Sequence, residues 1–524
     1  MLSHGWAVSV EVPSSRKLCR QNLAISILRT RRHRSSGVGS NTFPVRIYSM
    51  LKYMLTMSLL MYATAMAAER PNIVYINADD LGVMDVGFNN SIYKTPNIDK
   101  LRDEGMLFTR AYAPAANCAP SRACVMSGQY GPRHGVYTVS NSDRGLARHR
   151  KLIPIENTKH LDPKVLTIAG ALRQEGYKTI HLGKWHLGED PTQQGFDINV
   201  GGSTSGGPPR GYYLPVKQGP LEVFNDQYPK KTHTADVLAD QAVKFINANE
   251  NGDDPLFIHM AYYLIHTPFV PVKGMVDKYA DRGKKKATYA SMIEKMDESI
   301  GKLMKGLDDA GLHANTLVLF TSDNGAHSDV SPQKPHRSGK GSYFEGGIRE
   351  PMVVRWPGRV EAGSTCDVPV CGIDFFPTFL EAAASPVPTG KVLDGISLVP
   401  LLTQSGSIQA RALFWHFPIY LQAYAGEADD SHDPCFRTRP GTAMRQGKWK
   451  FHEYFEDGRL ELYDLESDPS ERTNVAKQFP EKTQELHRMM TAWRSDLGAP
   501  VPTKLNPKYD PDGMGGSNMN SKKK

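Results

Sequence analysis

Two short stretches of this chain end an apolar run directly in clustered acids, and that pairing most narrows what it can fold into. Pro71-Asn-Ile-Val-Tyr-Ile-Asn77 runs into Asp79-Asp80, and Thr316–Thr321 runs into Asp323-Asn324-Gly325. Continuous apolar, β-branched runs are typical of strands buried on both faces of a parallel sheet. Further runs of this kind read at Tyr177–Leu182 and Leu256–Ala261. Helical patterns separate them, from Pro96 to Gly105, between Asp162-Pro163 and Gly176, and at about 234–249 and 286–310. Strands alternating with helices predict an α/β domain with a parallel sheet covered on both faces. In such sheets ligands sit beyond the carboxyl ends of the strands, where both acidic clusters fall.

The pattern changes after about residue 400. Ala443–Tyr454 and Leu460–Tyr463 read as two strands joined at Asp457-Gly458, followed by a helix at about 480–496. The organisation expected is a catalytic domain at 69–400, a smaller α+β subdomain with an antiparallel sheet at 401–500, and a polar tail at 501–524.

Charge enters the argument through its placement. The chain has 524 residues and a net charge of +8, but residues 1–68 hold nine of its 63 basic groups and one of its 55 acids. The remainder carries 54 of each sign, so nothing in it suggests a nucleic-acid partner, and any anion must be held by local placement. Within that basic leader, residues 50–68 combine Lys52, an apolar run and Ala65-Met66-Ala67, the form of a secretory signal peptide too short to span a membrane. The Arg/Ser-rich residues 1–49 read as an extension ahead of a start at Met50, with a transit segment as the alternative. An exported, periplasmic or secreted protein without a stable membrane span is expected. Removing the leader takes Cys19 and leaves five cysteines; an odd number in an exported chain suggests one thiol with a separate task. Cys366 and Cys371 are near enough in sequence to bridge.

Asp79, Asp80, Asp323 and Asn324 together offer an all-oxygen cage suited to a hard divalent cation, or each cluster is a solvated turn. Cys118 in Cys118-Ala-Pro-Ser-Arg122 would sit near a helix N-terminus that favours negative charge, with Arg122 one turn on as a fixed cation. Lys184 and His186 in Gly183-Lys-Trp-His-Leu-Gly188 would share a face of extended chain. His266 follows a strand, and Lys340 lies in Gly339-Lys-Gly-Ser-Tyr-Phe-Glu-Gly-Gly-Ile-Arg349. Gly201–Arg210 is a flexible segment, and Trp415–Tyr420 supplies aromatic and His side chains that either face a sugar ring or pack between subdomains.

Taken in order, C-x-P-S-R, the GKWHLG segment, SDNG and GKG…EGGIR resemble the type I sulfatases of the alkaline phosphatase superfamily over about residues 71–400. Leu462–Glu471 resembles that family's C-terminal subdomain. The resemblance implies an alkaline phosphatase-like fold and hydrolysis of sulfate monoesters. It implies that a formylglycine-generating maturation enzyme oxidises Cys118, and that a calcium ion is held by Asp79, Asp80, Asp323, Asn324 and the modified Cys118. In that mechanism one oxygen of the hydrated formylglycine attacks sulfur while the metal polarises the sulfate. By the same analogy Arg122 and Lys184 position the nucleophile and His186 handles its proton. His266 and Lys340 bind sulfate and protonate the leaving oxygen. Cys124, Val125, Met126 and Ser127 stand where the family often has Leu, Leu and Thr, a mild departure. Together with export, the resemblance implies a sulfated polysaccharide or glycosaminoglycan as substrate. A phosphatase or phosphonate monoester hydrolase, and a non-catalytic carbohydrate-binding relative, are the competing readings.

Overall fold

The computed structural model describes residues 70–208, 211–217, 219–331, 333–424 and 433–512. The extension and signal peptide expected at 1–68, Cys19, Pro209, Arg210 and the end of the tail lie outside the described residues.

Nine strands build the main sheet: β1 (Asn72–Ala78), β2 (Met106–Tyr112), β3 (Lys178–Gly183), β4 (Ile198–Val200), β5 (Leu256–Ala261), β6 (Thr316–Ser322), β7 (Arg349–Arg355), β8 (Ser364–Cys366) and β9 (Val370–Cys371). Their order is β4-β3-β5-β1-β6-β7-β2-β8, with β9 also on β2. All pairings are parallel except those of β7, which runs antiparallel to β6 and to β2. The sheet is therefore mostly parallel, as expected, with one reversed strand.

Alternation along β1 shows why it is central. Val74 and Ile76 enter one apolar cluster with Ile98, Leu238, Phe245, Ile293 and Met296, from the helices Pro96–Asp103, Thr234–Asn249 and Lys284–Asp309. Ile73 and Tyr75 enter the other with Ala123, Leu172 and Phe379, from the helices Cys118–Ser127, Ile168–Gln174 and Phe375–Ala382. Helices thus cover both faces, and successive β1 side chains serve both layers. The helix expected from Pro163 begins later. Thr167 is its N-cap, accepting from the Gly170 N–H at 3.1 Å, while Asp162–Val165 forms a turn.

The second sheet is antiparallel, in the order β10 (Ala412–Phe417), β13 (Gly441–Gln446), β14 (Trp449–Tyr454) and β15 (Leu460–Asp464). Between its first two members in sequence lies a separate strand pair, β11 (Leu421–Gln422) and β12 (Phe436–Thr438). The single strand expected over 443–454 is two strands, because Gly447 turns the chain at φ +56°. The turn at Asp457-Gly458 joins β14 to β15, and the following helix spans Pro480–Leu497. Trp415, Phe417 and Met444 pack with Tyr112, Tyr343 and Cys371 of the main-sheet side in a shared core.

Buried charge crosses the same junction. Lys450 Nζ lies 3.0 Å from Glu345 Oε1 and 3.9 Å from Glu471 Oε1, and all three side chains are shut off from solvent. Removing the ammonium would leave two facing carboxylates in a low dielectric. Lys450→Ala should destabilise the protein by about 3–5 kcal/mol, the range for breaking one partner out of a buried pair. Chemical denaturation would read this as a lowered midpoint; an unchanged midpoint would show that the network contributes nothing to stability.

Candidate active site

The carboxyl ends of β1 and β6 meet side by side, in register from Asn72↔Thr316 to Ala78↔Ser322. Asp79 and Asp80 leave the first and Asp323 and Asn324 the second, all buried. The backbone locks them together: Asp323 N–H donates to the Ala78 carbonyl at 3.1 Å, and Asp80 N–H to Asp323 Oδ1 at 3.2 Å. Asn324 Nδ2 donates to Asp80 Oδ1 at 2.8 Å.

Each carboxylate receives a cation from a different part of the chain. Lys184, just beyond β3, lies 2.7 Å from Asp79 Oδ2. Lys340 Nζ lies 2.7 Å from both carboxylate oxygens of Asp80. Arg122 grips Asp323 Oδ2 through Nε and Nη2, both at 2.8 Å, and donates from Nη1 to the Lys184 carbonyl at 2.8 Å. Breaking any one of these buried pairs would leave an uncompensated charge in a low dielectric.

Cys118 is the first residue of the helix Cys118–Ser127, as its motif predicted, and its thiol is buried against the same cluster. Burial pushes that thiol up, but Lys184 and Lys340, together with hydrogen bonds to His186 and His266, outweigh it and hold it well below the usual thiol range. Lys184 and His186 reach Cys118 by a different route from the one expected. The strand ends at Gly183, and His186 adopts φ +64° in a turn, so no extended face is shared. His266 stands 4.0 Å from Asp80 Oδ2, with Nδ1 2.7 Å from the Thr267 carbonyl oxygen. Burial and Lys340 lower its pKa; Asp79 and Asp80 raise it, and the balance is upward. All ten sequence-predicted site residues therefore converge on one place.

The cluster has the character of a cation site. Ligand atoms of Asp79, Asp80 and Asp323 all lie within 4.8 Å of one another, as do those of Asp79, Cys118 and His266. Asp79 Oδ1 and Asn324 Oδ1 are buried with no hydrogen-bond partner. Burial raises Asp79, and it carries Asp323 up to about 7 despite Arg122. Hard oxygen donors left unpaired are what a divalent ion would complete, so the residues fit calcium.

Other expected features fall elsewhere. Trp415 is buried and donates its indole N–H to the Ala113 carbonyl at 2.8 Å, and Phe417 stacks on Tyr343 at 3.9 Å. His416 is held between Thr442 and the Pro500 carbonyl. This segment packs the two sheets together and offers no sugar face. Cys118, Cys124, Cys366, Cys371 and Cys435 are all free, so Cys366 and Cys371 do not bridge. Three residues near the centre had no motif to reveal them: Arg144, Tyr424 and Arg437. Burial raises Tyr424, and the charges of Lys340, Asp80 and Cys118 all act on it.

Comparison with known proteins decides the family. The sulfatase family model matches residues 71–385, more than half the chain. This protein belongs to the sulfatase family. A second model, N-sulphoglucosamine sulphohydrolase, C-terminal, matches residues 339–496. Among curated relatives, a sulfatase of Formosa agariphila is 28% identical, covering 83% of this chain and 90% of its own. The N-acetylgalactosamine-6-sulfatase of Mus musculus is 31% identical over 69% of this chain and 72% of its own. Among solved structures, Ps i-CgsB in complex with k-i-k-neocarrahexaose superimposes with a TM-score of 0.66 at 28% identity, covering 81% of this chain and 92% of that one. The phosphonate monoester hydrolase of Agrobacterium radiobacter shares the fold with a TM-score of 0.60, at 21% identity over 82% of this sulfatase and 96% of its own chain. The chain is thus a sulfatase enzyme, and hydrolysis of sulfate esters is the activity its family and named relatives support.

One glycine of this sulfatase's site sets how close the Gly201–Gly207 loop approaches. A Cβ at Gly206 would sit 2.5 Å from His186 Cε1, well inside contact distance. Gly206→Ala should push the imidazole out of place and lower kcat on an aryl sulfate by about tenfold or more, as displacements of this size do. The melting temperature should move little. Unchanged kcat would show that His186 placement does not matter to turnover.

Proposed function

We propose that this sulfatase uses formylglycine made from Cys118, together with one calcium ion, to remove sulfate from a sulfated polysaccharide or glycosaminoglycan outside the cytoplasm. The observation carrying the reading is the position of Cys118. It heads a helix and is buried against three cations and an oxygen cage with two unpaired acceptors. Asp79, Asp80, Asp323 and Asn324 would hold the ion, with the modified residue 118 completing the set. Calcium at such a site neutralises sulfate charge and polarises the S–O bonds. Formylglycine, once hydrated, supplies a hydroxyl nucleophile that a thiol side chain lacks.

The chain's own groups do the rest. Lys184, beside Cys118 and paired with Asp79, holds the nucleophilic oxygen in a field of positive charge. Arg122 opposes the burial that raises Asp323 and ties that carboxylate to the Lys184 backbone, which fixes the distance between cage and nucleophile. Burial first, then Lys184 and Arg122, lower the His186 pKa against the opposing pull of Cys118, so the neutral imidazole is favoured and can accept the nucleophile's proton. His266 is pushed the other way and favours the protonated form suited to donating to the leaving oxygen, beside Lys340. The burial of all these groups excludes water and strengthens each interaction.

For the substrate, support comes from two similar proteins, an N-acetylgalactosamine-6-sulfatase and the structure in complex with k-i-k-neocarrahexaose. Residues 69–400 would carry the chemistry and 401–500 support it. Export is read from the signal-like segment at 50–68; among the described residues no helix is long and apolar enough to cross a membrane.

Mass spectrometry of protein from a host with the maturation enzyme should find the peptide containing Cys118 lighter, the thiol having given way to an aldehyde. Cys118→Ala should abolish turnover with little loss of stability, since a small side chain at a polar site leaves little cavity. Appreciable activity in that variant would overturn the mechanism.

Metal analysis of the purified protein should return about one calcium per chain, the stoichiometry of a single oxygen cage. An Asp80→Ala, Asp323→Ala double variant should lose it; retention would rule out this cage.

A further inference from the structure

Beside the reaction centre, two guanidinium groups share one tether. Arg144 Nε donates to Gln422 Oε1 at 2.9 Å, and Arg437 Nε donates to the Gln422 backbone carbonyl at 2.9 Å. Arg437 also donates from Nη1 to the carbonyl of Lys340 at 3.0 Å, so it is anchored to the segment that delivers Lys340 to Asp80. Its guanidinium lies 3.6 Å from the centroid of the Tyr424 ring, which fixes its plane. A Cβ at Gly341 would come 3.1 Å from Arg437 Nη1, and the φ of +88° there already demands glycine, so the backbone leaves room for this approach.

The pair is short of negative charge. Nearby Arg439 is matched to Asp433 and Glu456, and Arg150 to Asp143. Among the described residues neither Arg144 nor Arg437 has a carboxylate partner; their acceptors are a side-chain amide and carbonyl oxygens. Burial and the like charge of Arg437 both weaken the hold of Arg144 on its proton, and Cys118 is near enough to act on Arg144 electrostatically. A half-buried and a buried guanidinium side by side repel each other, and an anionic ligand would reverse the sign.

We propose that Arg144 and Arg437 form an anion subsite on the wall of the active site that takes a second negative group of the substrate, a carboxylate or a further sulfate. The subsite rests on the carbohydrate-sulfatase reading and sharpens it: the preferred substrate is a saccharide carrying another anion near the sulfate that is removed. Guanidinium suits this task because its fork binds carboxylate and sulfate through paired N–H groups.

Calorimetric binding to the full-length Cys118→Ala protein, which cannot turn substrate over, tests the subsite. Three disaccharides are compared: one with a single sulfate and otherwise neutral, one with a uronate carboxylate added, and one with a second sulfate added. A second anion should tighten binding about tenfold at low salt, with the gain shrinking as salt rises. The arm with the larger gain identifies the source. Arg144→Gln and Arg437→Gln should each bring the ratio towards one, whereas a purely structural role would weaken all three sugars alike. Equal binding of the three sugars, binding of none, or a preference that survives both substitutions would overturn the subsite. Hydrolysis of 4-nitrophenyl sulfate by the mature enzyme reads the sulfatase chemistry separately, so failure of the subsite and failure of the mechanism are distinguishable.

Discussion

Three buried carboxylates at one sheet edge repel one another, and the arrangement of the chain around them answers that repulsion. Asp79, Asp80 and Asp323 are brought together by the parallel pairing of β1 with β6, which no side chain can adjust. Their counter-charges arrive from the second turn of a helix, a strand end and a loop between β6 and β7: Arg122, Lys184 and Lys340. Each cation is committed to a different acid, so loss of any one strands a buried charge. The pairs thus fix the relative positions of segments far apart in sequence, and the site and the topology are held by the same contacts. The surplus of hard oxygen acceptors that remains is the opening for a divalent ion.

The second sheet acts on this centre through Lys340. The loop bearing it is held by Glu345 N–H donating to Glu471 Oε2 at 2.6 Å, by Arg337 donating to the Glu471 carbonyl at 2.9 Å, and by Thr438 donating to the Gly341 carbonyl at 2.6 Å. Arg337 also covers the Phe344 ring at 3.8 Å. Glu471 and Lys450 come from the C-terminal part of the chain, so the antiparallel sheet is a brace for a residue of the main domain.

Much of this was legible in the sequence, for a physical reason. Strands buried on both faces must be continuously apolar, so β1, β3, β5 and β6 announce themselves within a residue or two. Site residues at their carboxyl ends follow by position. The strands β2 and β7 carried no such signal: Met106–Tyr112 is partly exposed, and Arg349–Arg355 contains Pro351, which reads as a break in a strand. Trp415 and Phe417 could be read as binding or packing residues because an aromatic side chain serves either, and only the fold shows which way they face. Arg144 lies hundreds of residues before Tyr424 and Arg437, which fall just after β11 and within the short strand β12, and no local spacing could have joined them.

Backbone conformation adds a last constraint. Among the described residues only eight non-glycine positions have a left-handed φ, and Asp80, His186, Ser338 and Glu471 are four of them. All four lie in the segments that build or brace the site. Asp and His tolerate this region better than most residues, yet each such conformation still costs on the order of 1 kcal/mol or more and persists only where its surroundings over-determine it. Asp80 is pinned by Lys340, Asn324 and Asp323, and Glu471 by the Glu345 N–H and Lys450. The ion pairs that offset carboxylate repulsion therefore also hold the chain in turns it would otherwise relax, and the directions in which these side chains point depend on charge as much as on packing.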